Sequence, residues 1–156
     1  MRTFEKVKGA PIFHWKNHRF IGTIADLTYC MLEGKITGYW IENHKWWSKK
    51  HVLPISNLSI EEKQSYFVGN VDPLLPIRSS EKRFLHGKNR LIGRSVRQHD
   101  GGMIGIVEDV YFLPDSGKIL GYELTEGLFE DVKLGIKVVK TEHFSIDHKD
   151  QALVLS

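Results

Sequence analysis

Residues 21–27 read Ile-Gly-Thr-Ile-Ala-Asp-Leu and residues 104–110 read Ile-Gly-Ile-Val-Glu-Asp-Val, while 34–41 and 117–124 read Gly-Lys-Ile-Thr-Gly-Tyr-Trp-Ile and Gly-Lys-Ile-Leu-Gly-Tyr-Glu-Leu. All four segments align at one offset of 83 residues, and eight of the fifteen positions are identical: Ile21/Ile104, Gly22/Gly105, Asp26/Asp109, Gly34/Gly117, Lys35/Lys118, Ile36/Ile119, Gly38/Gly121 and Tyr39/Tyr122. Random pairing would give roughly one identity, so the chain carries an internal repeat, and whatever one copy folds into the other must fold into as well. The offset is 84 upstream (8–12 with 92–96), 86 over 52–60 with 138–146, and 87 over 64–68 with 151–155. Small slips of this kind belong in turns between strands.

Each copy is about 60 residues of short strands separated by turn signals. Residues 104–112 are β-branched and aromatic, Pro114-Asp115-Ser116-Gly117 has proline and glycine where a turn wants them, and 118–124 returns as the partner strand. The matching hairpin is 21–31, a turn at Glu33-Gly34, and 35–41. Asp100-Gly101-Gly102, Lys16-Asn17-His18 and Asp147-His148-Lys149-Asp150 supply further turns. No window holds a 3.6-residue apolar period, so the expected class is all-β with little helix. A unit this small buries enough surface only if its sheet curls on itself, and closure also removes exposed edges. The expected architecture is therefore two tandem small β-barrels.

Residues 69–90 match neither copy, carry Pro73 and Pro76, and exceed the roughly 12 to 15 residues usual for a loop. They read as a basic linker with a short helix starting at Ser79 or Ser80 and stopped by Gly87. The expected domains are 1–68, the linker 69–90, and 91–156.

The net charge of +3 hides a division. Residues 78–97 hold seven basic side chains against Glu81 alone, a balance of +6, whereas from Gln98 onward five basic residues face eleven acids, a balance of −6. A surface polarised in this way steers partners. The 41% hydrophobic and 26% charged content is that of an ordinary globular chain. No stretch approaches the roughly 18 to 20 apolar residues of a membrane span, and no signal peptide is expected. A single cysteine, Cys30, excludes an intramolecular disulfide framework and a Cys-based zinc site, so a reducing, cytoplasmic setting is expected.

The pattern over 93–124, Gly-x-x-Val, a glycine turn, Ile-Gly-x-Val-x-Asp-Val, then Pro-Asp-x-Gly-x-Ile-x-Gly-Tyr-Glu-Leu, resembles the PRC-barrel family. That family is named for the cytoplasmic domain of the photosynthetic reaction-centre H subunit and includes the C-terminal domain of a ribosome maturation factor. The likeness spans about 91–156, and more weakly about 8–68, where Trp40 replaces the charge at Glu123 and the turn lacks Pro-Asp. The resemblance implies a six-stranded or similar barrel used for protein or RNA contacts, with no catalytic residue to carry over.

The residues themselves favour binding over catalysis. Asp26 and Asp109 recur, but an acid catalyst needs a convergent partner, and a carboxylate bonded to a neighbouring turn or facing solvent at a strand end is the simpler account. His14 and His18 lack a cysteine or paired carboxylate at ligand spacing, so neither a metal nor a cofactor is expected. Trp46 and Trp47 lie between Lys45 and Lys49/Lys50, a grouping that suits base stacking, a lipid interface or a protein anchor, and strand alternation points only one of the pair outward. Trp46, Trp47, Lys49 and Lys50 form one candidate partner surface, and Arg83, Lys88, Arg90, Arg94 and Arg97 a second. The expected function is a cytoplasmic, non-enzymatic adaptor with a protein partner. The alternatives are an RNA-processing or ribosome-assembly factor binding RNA or a ribosomal protein, and a peripheral accessory of a membrane complex; self-association into a homo-oligomer is a further option.

Overall fold

The structure is a computed structural model that describes residues 1–14, 16–43, 51–60, 66–68, 75–76, 82–125, 137–140, 144–147 and 152–155. It is mostly strand. In chain order the elements are β1 (Arg2–Thr3), α1 (Phe4–Val7), β2 (Pro11–His14), β3 (Phe20–Cys30), β4 (Lys35–Glu42), β5 (His51–Pro54), a single 3₁₀ turn at Ile55–Asn57, β6 (Leu58–Ile60), β7 (Tyr66–Val68) and β8 (Leu75–Pro76). Then come β9 (Ser95–Arg97), β10 (Met103–Phe112), β11 (Ile119–Thr125), β12 (Lys137–Lys140), β13 (Phe144–Ile146) and β14 (Leu153–Leu155). The described part of the linker, 82–90, contains no helix, contrary to the expected turn ending at Gly87; the one α-helix among the described residues is the four-residue α1.

The strands form two sheets, ordered β6-β7-β2-β3-β4-β5-β8 and β12-β11-β10-β9-β14-β13, with β1 added to β10. The two run alike. In each, a long hairpin (β3–β4, β10–β11) is interrupted twice, between Ile24/Asp26 and Thr28/Tyr29 in one and between Val107/Asp109 and Tyr111/Phe112 in the other. In each, one pair within the order is parallel: β2 with β7 (Ile12 opposite Tyr66) and β14 with β9 (Leu153 opposite Val96). The first interruption inserts Ala25 or Glu108 as an extra residue, and such a bulge re-aims the next side chain. It turns Asp26 and Asp109 inward, where both are buried.

Two glycines show why they recur. A Cβ on Gly22 would lie 2.7 Å from the Glu42 carbonyl oxygen, and one on Gly105 would lie 2.7 Å from that of Thr125, so the partner strand can approach only a bare Cα.

The expected closed barrels are not found. Among the described pairings each sheet is an open path, with β6 and β8 ending one and β12 and β13 the other. The physical reason is that each half closes its core with the other half. One cluster of buried side chains contains Ile24, Leu27, Ile36 and Tyr39 together with Val107, Val110, Ile119 and Tyr122. The rings of Tyr39 and Phe112 lie 6.4 Å apart across it.

Candidate functional site

The two halves are sewn together at two places. The hairpin tips meet as a short antiparallel bridge between Lys35 and Lys118, in which the Ile36 amide donates to the Gly117 carbonyl (2.7 Å) and the Ile119 amide to the Gly34 carbonyl (2.9 Å). Each bond is the other displaced by 83 residues.

The second seam is reciprocal. The segment before β2 docks on the second sheet: β1 pairs with Tyr111 and Phe112, and the amides of Phe4 (2.9 Å) and Glu5 (3.4 Å) donate to Asp109 Oδ1, as does that of Val110 (2.7 Å). The segment before β9 docks on the first sheet. Arg83 bridges Thr28, the Tyr29 amide donates to the Lys82 carbonyl, and the Phe84 amide donates to the Leu27 carbonyl. Asp26 Oδ1 accepts from the amides of Leu27 (2.7 Å) and Leu85 (2.8 Å), and its Oδ2 from the His86 amide (3.1 Å) and Arg83 Nε (2.9 Å). Phe4 and Phe84, one from each crossing segment, meet edge to face at 5.2 Å. The repeated aspartates are therefore docking posts, each satisfied by backbone from the opposite half.

The posts differ electrostatically. Burial raises the Asp109 carboxyl above its usual value, and the three backbone amides only partly oppose this. Asp26 instead has a cation, and Arg83 in turn lies flat on an indole: its Cζ is 3.6 Å from the Trp40 ring centroid. At the place equivalent to Trp40 stands Glu123, which accepts a hydrogen bond from the Tyr111 hydroxyl (2.9 Å); that bond is the first cause of the raised Tyr111 pKa. The equivalent of Arg83, paired with Tyr111, is Thr3.

Beyond Arg83 the chain makes a cinched loop. The Phe84 carbonyl accepts from both Leu91 and Ile92, Arg90 donates its amide to Gly87, and the Tyr29 hydroxyl donates to the Asn89 carbonyl. Phe84 and Leu91 are fully buried at the loop's base, while Lys82, His86, Lys88 and Arg90 are exposed. The described part of the stretch read as linker is thus anchored to the first sheet by its backbone, which fixes where its charged side chains start.

The second candidate surface separates into different roles. Lys88 and Arg90 point to solvent, and Arg83 is held by Asp26 and Trp40. Arg97 is paired with Asp147 (3.0 Å) inside the second half. Arg94 is buried at 8% exposure; its Nε donates to the Arg90 carbonyl (3.2 Å) and its Nη1 has no acceptor. Its charge faces Tyr29 and Tyr122, and partly offsets the effect of burial, which raises both phenols. Arg94 thus serves the interior rather than a surface. The first candidate surface, Trp46, Trp47, Lys49 and Lys50, lies outside the described residues.

Among the described residues no group of three His, Cys, Asp or Glu side chains is arranged to hold a metal, and no helix is long and apolar enough to cross a membrane. His14 Nδ1 accepts from the Lys16 amide (3.2 Å) within its own turn. What sequence reasoning missed is Trp40 as a platform for Arg83. Its signal was the one charged-to-aromatic exchange, Glu123 to Trp40, within an otherwise well-matched strand.

A β-rich fold with bulged hairpins and glycine-tight strand approaches is that of a small β module whose second half matches a known family: residues 86–151 match the PRC-barrel domain. Over its whole length the chain is also 26% identical, across 158 residues, to the Uncharacterized protein YrrD of Bacillus subtilis (strain 168), covering 100% of this chain and 88% of that protein.

Proposed function

We propose that the chain is a non-enzymatic binding module of the cytoplasm, built from two copies of one PRC-barrel-like unit (1–68 and 91–156, with 69–90 between them), and that it acts through contacts with a partner protein. The observation that carries this reading is the loop at 82–92, which presents Lys82, Lys88 and Arg90 to solvent on a backbone fixed by Asp26 and by the doubly bonded Phe84 carbonyl. Cations carried on a fixed backbone lose less conformational entropy on binding than cations on a mobile loop, and that favours recognition over non-specific attraction. The repeated carboxylates are engaged by backbone amides, which supports a role in architecture.

The test is affinity capture with the wild-type chain and with a Lys88→Glu/Arg90→Glu variant, each with and without ribonuclease. The expected result is a set of proteins retained by wild type after ribonuclease and lost by the variant. Identical sets on both baits would refute the reading. Loss on ribonuclease treatment alone would favour the second reading, an RNA or ribosome-assembly factor, to which the same charges are suited.

A further inference from the structure

We infer that Arg83 is the recognition centre of this surface, presenting its guanidinium fork to a carboxylate on an acid-rich segment of the partner protein; this rests on the binding-module reading above. Three features of the site lead here. Arg83 Nε is fixed by Oδ2 of Asp26, which is fully buried, and the guanidinium is fixed in plane by Trp40 at 3.6 Å. Its two Nη groups donate to none of the described residues, yet the side chain keeps 17% exposure and neither nitrogen is among the buried polar atoms lacking a partner. They therefore face solvent. An arginine whose Nε edge and ring face are already engaged has lost most of its rotamer freedom, and what remains is a rigid pair of donors matched to two oxygens of one anion.

A difference between the halves separates this feature from the scaffold. The aspartate, its bulge and the crossing segment recur in both, whereas the pair Arg83/Trp40 is replaced by Thr3/Glu123 in the second half. The scaffold does not need the arginine, because Asp109 holds its crossing segment with amides alone. A cation stacked on an indole at one of two equivalent posts is thus an addition to the architecture.

The anion is assigned to a protein for a physical reason. Sequence-tolerant binding of single-stranded RNA uses aromatic faces on which bases stack. The Trp40 face is covered by Arg83 and the residue is buried, and the exposed large apolar side chains among the described residues, Met1, Phe20, Leu32 and Met103, all lie outside 82–92. Among the described residues the loop presents several cations and, of aromatic rings, only His86 to solvent, a balance that favours charge reading and suits glutamate and aspartate side chains.

The test is fluorescence anisotropy with labelled deca-glutamate and labelled deca-uridylate, using the full chain as wild type, Arg83→Lys and Lys88→Gln/Arg90→Gln, with the arginine side-chain NMR signals followed in wild type. Arg83→Lys keeps the charge but removes the fork. The expected results are saturable glutamate binding, about tenfold weaker in Arg83→Lys, and a shift of the Arg83 Nη resonances on titration. The NMR shift is read on wild type, so it decides the matter even if the variant is poorly folded: Nη signals that do not move overturn the inference. Equal binding by Arg83→Lys and wild type, with loss in Lys88→Gln/Arg90→Gln, overturns the role of Arg83 and leaves the cationic loop standing. Glutamate binding that no variant weakens overturns both readings. Tighter binding of the uridylate overturns the assignment to an acidic protein.

Discussion

Asn substitution at the two equivalent aspartates should have sharply unequal effects. Asp26 uses both oxygens: Oδ1 serves Leu27 and Leu85, while Oδ2 serves the His86 amide and Arg83 Nε. In Asp26→Asn the amide oxygen can keep one pair, but the Nδ2 group is then turned toward two donors. A hydrogen bond to a charged group is worth about 1.5 to 3 kcal/mol, and a buried donor left unpaired costs about 1 to 3 kcal/mol. Breaking a buried ion pair by removing one partner costs about 3 to 5 kcal/mol, so the expected loss is of that order. Asp109 gathers all three donors on Oδ1, which an Asn oxygen can replace, so Asp109→Asn should lose only about 1 kcal/mol.

The pH dependence supplies a second check. Burial raises the Asp109 carboxyl, so the folded state binds its proton more tightly than the unfolded state. Its contribution to stability therefore falls as pH rises from the usual 3.8 through the raised folded value. Relative to wild type, Asp109→Asn should gain stability across that window. Urea denaturation of both variants between pH 4 and 7 measures these quantities. Equal losses at pH 7, or the larger loss at Asp109, would refute the docking-post account.

Glycines at the two hairpin tips should also respond unequally. Gly34 (φ +59°) has open space where a Cβ would stand, whereas a Cβ on Gly117 (φ +76°) would lie 1.9 Å from the Ile36 carbonyl oxygen. Gly34→Ala should cost about 1 kcal/mol of backbone strain, and Gly117→Ala clearly more, because the bridge between halves must open; thermal melts of the pair would show it. Gly22→Ala and Gly105→Ala should each cost about 1 to 3 kcal/mol and to a similar extent, since both meet a carbonyl oxygen at 2.7 Å. Arg94→Met should lose no more than about 1 kcal/mol, because the buried cation has an unpartnered Nη1 and an apolar replacement removes its desolvation cost; a large drop in melting temperature would show that its charge is used.

Much of the fold was legible in the sequence because β structure writes itself locally. The turns at Gly34 and Gly117 and the paired long strands fall where strand geometry demands them. Closure was misjudged for a physical reason: a unit of about 60 residues must cover its apolar face, but self-similarity is silent on whether it does so alone or against its twin. The charge run at 78–97 was harder still. Linear sequence shows seven cations and suggests solvation, yet Phe84 and Leu91 drive that segment onto the core, and only then do Arg83 and Arg94 acquire partners inside while Lys88 and Arg90 stay out. Asp26 reads from sequence as a carboxylate bonded to a neighbouring turn or facing solvent; it is instead buried, and its donors at Leu85 and His86, 59 and 60 residues away, are not readable from the repeat.

The crossing of the two segments bears on the order in which the chain is made. A ribosome releases the first hairpin well before residues 82–92, so Asp26 emerges with its donors at Arg83, Leu85 and His86 still unsynthesised, and Phe4 waits for an acceptor 105 residues further on. Contacts of such long sequence separation slow folding. Neither half has its full set of partners until the second long strand is out, and until then the exposed strands of the first hairpin are open to pairing with other chains.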